Sequence, residues 1–571
     1  MDPDRPDGGG NDAKRPFVDR RPARPREPRE VETIVLRRPS KPGMPRVVPP
    51  DAESAPRPAS SAPPPEPGSD RPSARPPSRP RVYEPPQQSQ PATPVTTRDG
   101  ERLPRSAPPE GARRPSARRG VALPATPRNL AAEVVARVEK DGAFAAAVLD
   151  HELKRASQLS PRDRALTTEL VYGTLRLRTL LEKAIEAVTP RGIQTLDPRT
   201  RAMLLIAAYQ IHYTRVPAFA AVSEAVEAIR LTKGRTLAGF ANGALRKVAL
   251  VATTSPLPPL PLAFRDATAP WLRRALERSI GDAATEALLT AGPYPPPLNL
   301  RVRGATTEAR DAWVERLRAA MPGAHIEPGQ VAPGAIRIRG AGDPHVLPGY
   351  AEGEWTIQEE GSQLVGLLLG ARPGERVLDA CAGRGNKSSL IAEALRGADG
   401  EGAGRLDVAD VKPDKLGRLG GEFARLGLAA PETFGVDWSI GCGDVTPGIY
   451  DRVLVDAPCS GTGTIRRRPE IQTRRQMADV TALAEVQVKM LAHAVDAVRP
   501  GGRLVYAVCS VLRDEAEGVV GKLREVRDDV EPVAFDAPIA ETLFGPGATQ
   551  GRILTHLHGT DSYFVASLRR R

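Results

Sequence analysis

The sequence predicts an α/β protein whose largest part, residues 351–571, is a mostly parallel β-sheet covered by helices on both sides. Strands and helices alternate over this range, and several of the strands are short, continuous apolar runs. Ahead of the sheet we predict an all-helical domain over residues 128–252 and a small α+β module over residues 265–350. A Pro/Arg-rich extension over residues 1–127 precedes both.

Residues 1–127 are predicted to be disordered because they cannot bury enough apolar surface to offset their chain entropy. They hold 31 of the 59 prolines and only two aromatic residues, Phe17 and Tyr83. Their 24 Lys and Arg residues against 16 Asp and Glu residues supply most of the chain's net charge of +12. A basic arm that attracts a polyanion and a solvated extension without a specific role both fit this composition.

The composition excludes several classes of protein. The longest apolar runs, such as Ala202–Tyr209, fall far short of the ~20 residues that cross a bilayer. The opening residues MDPDRPDGGG do not form a secretory signal. The four cysteines contain no CxxC pair and are too few for a disulfide scaffold, so no bound metal is predicted. We therefore expect a cytoplasmic, monomeric protein that does not bind a membrane.

Residues 128–252 are predicted to be helical because their apolar residues recur at helical spacing. Leu130, Val134 and Val138 share one face, and the run TRAMLLIAAYQIHY is apolar enough for a central buried helix. The segments VPAFAAVSEAVEAIR and GFANGALRKV resemble the NusB-type RNA-binding domain. This resemblance favours a domain that holds RNA over a helical bundle that only braces its neighbour.

Residues 265–350 mix helical and strand-like segments. The helical segments are APWLRRALERSIG and TEARDAWVERLRAAM, and the strand-like segments are LNLRVR and IRIR. That order predicts a small α+β module.

The segment GERVLDACAGRGNKSSLIAEAL predicts a strand, a glycine turn and a helix. Gly383 and Gly385 allow a sharp turn and a close approach of a ligand, and the start of the helix offers free N–H groups. A phosphate-binding P-loop would need glycines in place of Cys381 and Asn386, and a dinucleotide fingerprint would need one in place of Ser388. The turn alone remains compatible with a nucleotide, a dinucleotide or S-adenosylmethionine.

Two acidic residues follow later strands of the same predicted sheet. Asp410 ends the strand LDVAD, 27 residues after Gly383, where a carboxylate can accept both hydroxyl groups of a ribose. Asp437 ends the segment FGVD and could contact the amino group of an adenine. Either residue, seen alone, could also be an ordinary turn acid.

Two further strands each deliver a cysteine to the carboxyl edge of the sheet, where ligands bind in open α/β folds. The segment YDRVLVDAPCSGTG places Asp456 and Cys459 there, and GGRLVYAVCS places Cys509 there. A single cysteine would most often be a small buried hydrophobe, but two at strand ends, each followed by serine, indicate a reactive site. The arginines at 466–468 follow closely and are interpreted as a phosphate-binding cluster.

Together these motifs resemble the RNA 5-methylcytosine methyltransferases, specifically the bacterial RsmB/Sun/Fmu type that modifies small-subunit ribosomal RNA. The similarity covers residues 128–571 and includes WTIQEEGSQLV and THLHGTDSYFVASL. It implies a Rossmann-like S-adenosylmethionine-dependent methyltransferase sheet that methylates carbon 5 of a cytosine in 16S ribosomal RNA. A transfer RNA methyltransferase with the same chemistry and a non-catalytic RNA-binding assembly factor remain alternatives.

The resemblance also implies roles for individual residues. Cys509 would be the nucleophile that adds to carbon 6 of the cytosine, Cys459 would serve product release, and Asp456 would lie near the ring and the cofactor. The target base would leave its stack to reach them, and the helical domain, the small module and the arginine cluster would clamp the RNA around it. The residues implied to hold S-adenosyl-L-methionine are Cys381, Ala382, Gly383, Arg384, Gly385, Asn386, Lys387, Asp410, Asp437 and Asp456.

The chain departs from the family pattern in three places. The family turn reads close to CAxPGGK, but Arg384 stands at the proline and Asn386 at the last glycine, where asparagine is expected to accept a left-handed backbone. Val508 replaces a threonine before the nucleophile, and Ser562 and Tyr563 replace Gly-Phe. Because both cysteines remain, we expect altered cofactor affinity or target choice rather than loss of activity.

Overall fold

The computed structural model describes residues 123–190, 192–396 and 403–571. The predicted disordered extension therefore lies outside the described residues except at its carboxyl end. There Thr126 caps the first helix, because its hydroxyl accepts the Asn129 N–H at 3.3 Å, and Pro127 is the first residue of that helix.

Helices make up the first part of the described chain, and α5 is the central one. Every residue of α5 from Thr200 to Gln210 is buried, as the apolar run predicts. The helices are α1 (Pro127–Lys140), α2 (Ala145–Arg155), α3 (Pro161–Arg176), α4 (Arg178–Glu186), α5 (Pro198–Tyr213), α6 (Ala218–Lys233), α7 (Arg235–Thr254), α8 (Leu260–Ala267), α9 (Pro270–Ile280) and α10 (Asp282–Ala291).

A small antiparallel sheet follows, with strand order β2-β3-β1-β4. It contains β1 (Leu298–Val302), α11 (Thr307–Ala320), β2 (His325–Pro328), β3 (Ala335–Arg339) and β4 (Trp355–Ile357). Two boundaries differ from the sequence prediction. Helices α8–α10 contribute Phe264, Leu272 and Leu289 to the core of the preceding helices, and β4 pairs with β1 rather than joining the large sheet.

The large sheet has the strand order β10-β12-β9-β8-β5-β6-β7, and β11 pairs with β12. Five neighbouring strands are parallel to one another, namely β9, β8, β5, β6 and β7. Strand β12 runs antiparallel to β9, β10 and β11. Its elements are α12 (Glu360–Leu368), β5 (Arg376–Asp379), α13 (Asn386–Ala394), β6 (Arg405–Asp410), α14 (Pro413–Arg425), β7 (Glu432–Gly435), β8 (Tyr450–Asp456), α15 (Ile471–Arg474), α16 (Met477–Ala497), β9 (Val498–Val508), α17 (Glu517–Val526), β10 (Val530–Pro532), α18 (Pro538–Phe544), β11 (Gln550–Ile553), α19 (Thr555–His558) and β12 (Tyr563–Arg570).

The large sheet is covered on both faces, which explains why its central strands are continuously apolar. Leu378 and Val453 pack on one face with Leu491 of α16. Their neighbours along the strands, Val377 and Leu454, pack on the opposite face among residues of α12, α13 and α14. The predicted mostly parallel, doubly covered α/β sheet is thus confirmed.

The helical part and the large-sheet part share one hydrophobic core. Six apolar residues from the large-sheet part belong to the same buried cluster as the core of α1–α10, namely Ile465, Ile471, Val480, Val511, Leu512 and Leu554. Among the described helices, none is long and apolar enough to cross a membrane.

Arg301 of β1 joins the small sheet to α13, the helix that follows the glycine turn. Only 1% of Arg301 is exposed. Its guanidinium donates to Gln358 Oε1 at 2.7 Å, to Ser389 Oγ at 2.8 Å and to Glu393 Oε2 at 2.5 Å. Ser389 and Glu393 both lie on α13, so this side chain links the small sheet to that helix.

We expect Arg301→Met to destabilise the protein, because it leaves the Glu393 carboxylate largely buried and without its cation. Breaking such a pair costs about 3 kcal/mol. Urea unfolding followed by tryptophan fluorescence would measure the loss, since Trp313 and Trp355 lie in the core of the small sheet. The double variant Arg301→Met Glu393→Gln should regain part of the stability; an unchanged midpoint in the single variant would contradict this account.

Candidate active site

The two cysteines at the strand ends lie next to each other at the carboxyl edge of the large sheet. Cys459 follows β8 and Cys509 follows β9, and these two strands are parallel neighbours. Their Sγ atoms are 3.3 Å apart, and both side chains are free and partly exposed. This separation exceeds the ~2.05 Å of a disulfide bond and allows a hydrogen bond between a thiol and a thiolate.

The surroundings of Cys459 favour its neutral thiol. The hydrogen bond with Cys509 and burial raise the pKa of Cys459 well above its ordinary value, and the negative charges of Glu515 and Asp456 add to the effect. The Cys459 side chain is therefore held in its protonated form.

A buried carboxylate holds the loop that carries Cys459. Glu515 is fully buried, and its two oxygens accept the N–H of Ser460 at 2.7 Å and the hydroxyl of Ser460 at 2.5 Å. The side-chain amide of Gln487 donates to Glu515 Oε1 at 3.1 Å and to the carbonyl of Pro458 at 2.9 Å. The residues on both sides of Cys459 are thus fixed by polar contacts.

No motif in the sequence points to a role for Glu515. In the run RDEAEGVV it cannot be told apart from Glu517, which is partly exposed and pairs with Arg552 instead. Only its burial distinguishes it, and neither spacing nor composition reveals that burial.

Gly463 allows the Cys459 loop to pack directly against the Cys509 loop. Its N–H donates to the carbonyl of Cys509 at 3.0 Å, and its carbonyl accepts the Ser562 N–H at 2.9 Å. A Cβ at this position would lie 2.0 Å from the Ser562 carbonyl oxygen. The second glycine of the SGTG segment is therefore a steric requirement of the site.

Lys387 connects the glycine turn to the end of β8. Its Nζ lies 2.6 Å from Oδ2 of Asp456. Burial by itself would lower the pKa of Lys387, but the charge and hydrogen bond of Asp456, together with the charge of Asp379, raise it overall. The ammonium group also lies 6.0 Å from the centre of the Tyr563 ring. The pair places a carboxylate between the predicted cofactor turn and the cysteines.

Gly383 and Gly385 provide the left-handed backbone that the turn needs, with φ of +61° and +82°. A Cβ on Gly385 would lie 2.8 Å from Leu419, whereas a Cβ on Gly383 would meet only the Cys381 carbonyl at 3.9 Å. Asn386 is the first residue of α13 and has ordinary helical backbone. The tolerance of asparagine for a left-handed backbone is therefore not used here, because Gly385 supplies that conformation one residue earlier.

Asp410 meets the glycine turn, as its distance along the sequence predicts. Its Oδ2 accepts the N–H of Gly383 at 3.0 Å, and its Oδ1 accepts the N–H of Lys412 at 2.9 Å. Asp437 follows the next strand outward and is exposed, and its Oδ1 accepts the N–H and the hydroxyl of Ser439. Asp410 is thus part of the turn, and Asp437 lies at the outer end of the same edge.

Asp379, the last residue of β5, is a site residue that the sequence reasoning missed. It is buried, and burial raises its pKa to about 6. Its carboxylate accepts the Ser388 hydroxyl at 2.7 Å and the N–H of Cys381 at 3.3 Å, so it ties the turn to the first turn of α13. Burial also raises the pKa of the Cys381 thiol well above its ordinary value. The signal available was an acid at the end of an apolar strand.

The arginines at 466–468 do not form the predicted phosphate-binding cluster. Arg466 is buried and donates to the carbonyl of Gly559 at 2.8 Å. Arg467 donates to the buried Asp561 at 2.9 Å. Only Arg468 is exposed. The prediction is wrong because two of the three side chains connect parts of the protein to each other.

The described residues contain no group of three or more His, Cys, Asp or Glu side chains that could hold a metal ion. The turn fits a nucleoside cofactor better than a bare phosphate, because the Asp410 carboxylate faces it where a phosphate would be repelled. Open space at Gly383 leaves room for a ligand against the backbone.

Comparisons with known proteins show which family the chain is similar to. A family model described as 16S rRNA methyltransferase RsmB/F matches residues 366–569, and a NusB family model matches residues 125–250. Ribosomal RNA small subunit methyltransferase B of Salmonella arizonae is 32% identical over 449 residues, which cover 77% of this chain and 98% of that protein. A Mycobacterium tuberculosis protein named as a methyltransferase is 35% identical over 463 residues, 78% of this chain and 96% of its own.

The crystal structure of PH0851 matches the fold with a TM-score of 0.65 at 22% identity, covering 79% of this chain and 100% of that chain. The predicted family, the NusB-like helical domain and the S-adenosyl-L-methionine cofactor are confirmed. The protein is an S-adenosylmethionine-dependent RNA methyltransferase. From its motifs, its fold and these relatives, the chain belongs to the RsmB/F family of methyltransferases.

Proposed function

We propose that the protein methylates carbon 5 of a cytosine in 16S ribosomal RNA, in the cytoplasm, through a transient covalent bond between Cys509 and the base. The observation that carries this proposal is the 3.3 Å separation of the Cys459 and Cys509 sulfurs beside the Lys387–Asp456 pair. Relatives named as ribosomal RNA small subunit methyltransferases support ribosomal rather than transfer RNA as the substrate.

The chemistry needs a nucleophile because carbon 5 of cytosine is itself unreactive. Addition of the Cys509 thiolate to carbon 6 forms a carbon–sulfur bond and makes carbon 5 enamine-like. The ring takes up a proton from solvent, and Asp456, oriented by Lys387, is proposed to stabilise the protonated ring with its carboxylate. S-adenosylmethionine supplies an electrophilic methyl group when bound.

Release of the product breaks the carbon–sulfur bond that formed in the first step. Solvent water takes the proton from carbon 5, the carbon 5–carbon 6 double bond re-forms, the ring gives up the proton it gained, and Cys509 departs as a thiolate that can accept a hydrogen bond from the Cys459 thiol. Cys459 is the proton-bearing group nearest to the Cys509 sulfur, so we assign it to this step. The fixed loop around it, held by Glu515, keeps the two sulfurs in contact.

The cofactor is proposed to lie along the turn from Cys381 to Lys387, with Asp410 and Asp437 on the neighbouring strand ends. Asp410 would exchange its contact with Lys415, now 3.2 Å away, for the ribose hydroxyls. Asp437 would use Oδ2 for the adenine amino group, since Oδ1 already accepts from Ser439.

We expect Asp410→Asn to weaken S-adenosylmethionine binding at least about tenfold, because hydrogen bonds to a charged group contribute ~1.5–3 kcal/mol. Isothermal titration would measure the dissociation constant. Asp414→Asn is a matched control, since this acid is exposed in the first turn of α14. Equal affinities for the two variants would show that Asp410 does not hold the cofactor.

The proposed product is tested by nucleoside analysis. Purified protein, S-adenosylmethionine and unmodified 16S ribosomal RNA should yield 5-methylcytidine, detected by mass spectrometry after digestion. Bisulfite sequencing of RNA from a deletion strain should identify one cytosine that loses its mark. A methylated nucleoside other than 5-methylcytidine, or activity on transfer RNA alone, would contradict the proposal.

A further inference from the structure

A cleft of about 410 Å³ opens beside the segment that follows Cys509. Its walls come from α9, from the start of α16, and from the 3-10 turn Arg513–Glu515 with the following helix α17. Its polar lining residues are Arg278, Ser279, Thr481, Arg513, Asp514 and Lys522. The mechanism above uses none of them.

The cleft carries unpaired positive charge. Arg278, Arg513 and Lys522 are exposed, and their side chains make no ion pair and no hydrogen bond within the described part of the chain. Asp514 is the one acid in the lining, so the cations outnumber it. Arginine and lysine groups beside hydroxyls are common ligands of phosphate oxygens in nucleic acids.

The two sides of the cleft are fixed relative to each other. The N–H of Arg513 donates to Ser279 Oγ at 2.9 Å, which joins α9 to the segment after β9. Between Cys509 and Arg513, Val511 and Leu512 are fully buried in the core of the helical part. The cations therefore stand on a rigid backbone and not on a long loop.

The cleft lies close to the reacting sulfur. An extended chain spans at most ~3.5 Å per residue, so four residues place the Cα atoms of Arg513 and Cys509 within about 14 Å of each other. The backbone of RNA whose target base reaches Cys509 would therefore come within reach of this cleft. The buried Arg466 and the partly buried Arg467 are not available to it, because their guanidinium groups bind other parts of the protein.

We propose that this cleft binds backbone phosphates of the RNA near the target cytosine. The cleft would supply the phosphate contacts that the sequence predicted for the arginines at 466–468. The inference rests on the proposed function for the identity of the reacting base, whereas the phosphate contacts would serve any RNA substrate of this site. The ligand is defined by its chemistry, a phosphodiester of single-stranded or opened RNA.

The test is the salt dependence of RNA binding. Filter binding of a 16S ribosomal RNA transcript between about 50 and 200 mM salt gives the slope of the logarithm of the association constant against the logarithm of the salt concentration. The magnitude of this slope falls by ~0.7 for each lost phosphate contact to a single strand. The double variant Arg513→Ala Lys522→Ala should therefore reduce the slope by about 1.4. Arg513→Lys should restore its share of the binding.

A matched control is Lys489→Ala Arg524→Ala, which removes two exposed cations from α16 and α17 outside the cleft. Its slope should equal that of the unaltered protein, and S-adenosylmethionine affinity should be unchanged in both double variants. Equal slopes for all proteins, or equal losses in both double variants, would overturn the cleft proposal. A normal slope pattern without 5-methylcytidine would instead contradict the proposed function and leave the cleft standing.

Discussion

Cys509→Ala is expected to abolish methyl transfer, with the single-turnover rate falling by at least about a thousandfold. Without the sulfur no bond can form to carbon 6, and carbon 5 stays too weak a nucleophile to attack a methyl group. The substitution removes only one atom from a partly exposed side chain, so the fold should be retained. Transfer of a radiolabelled methyl group to RNA under enzyme excess would measure the rate.

The chain supplies a matched control for this variant. Cys442 is another free cysteine of the large-sheet part, and its sulfur contacts the His493 carbonyl at 3.4 Å, away from the Cys459–Cys509 pair. Cys442→Ala should keep the full rate. If Cys509→Ala retained the rate within tenfold of the unaltered protein while binding cofactor and RNA normally, the nucleophile would have to be another group.

Cys459→Ala is expected to allow methyl transfer but to block release of the product, so that the covalent intermediate accumulates. Methyl transfer can proceed, but the departing Cys509 thiolate loses the thiol that lies 3.3 Å from its sulfur. The protein then stays bonded to its RNA. A denaturing gel should show a slowly migrating species that contains both protein and RNA and that ribonuclease converts to a smaller one.

The double variant Cys459→Ala Cys509→Ala separates this outcome from simple tight binding. It lacks the sulfur that forms the bond, so no species should survive denaturation. Rapid turnover by Cys459→Ala without any adduct would remove Cys459 from the release step and leave Cys509 as the only reacting cysteine. A slowly migrating band in the double variant would show that the bond forms through a different residue.

The sequence predicted the parts of the site that short motifs encode. The strand ends that carry Cys459 and Cys509, the glycine turn and the acid at 410 could all be found, because parallel strands bring their carboxyl ends to one edge. The NusB-like domain could be recognised for a similar reason, because each of its characteristic segments is a short stretch of sequence that follows a single helix.

The contacts that depend on tertiary packing could not be predicted. Asp379 and Glu515 look like ordinary acids in the sequence, and their importance comes from burial that several distant segments create. The arginines at 466 and 467 look like a nucleic-acid contact, yet partners nearly a hundred residues away occupy them. The cleft at Arg513 and Lys522 joins α9 to the segment after β9 and to α17, a pairing that no local pattern contains.

The core shared between the helical and large-sheet parts limits how this protein can be rearranged. Four side chains of the large-sheet part pack among helices that lie hundreds of residues earlier in the chain. They are Ile465, Ile471, Val511 and Leu512. The catalytic half therefore cannot be exchanged between relatives as an independent cassette. A chimera that joins the helical part of one relative to the large-sheet part of another at residue 291 must keep these four side chains matched to the helical core. Otherwise the shared core will pack poorly.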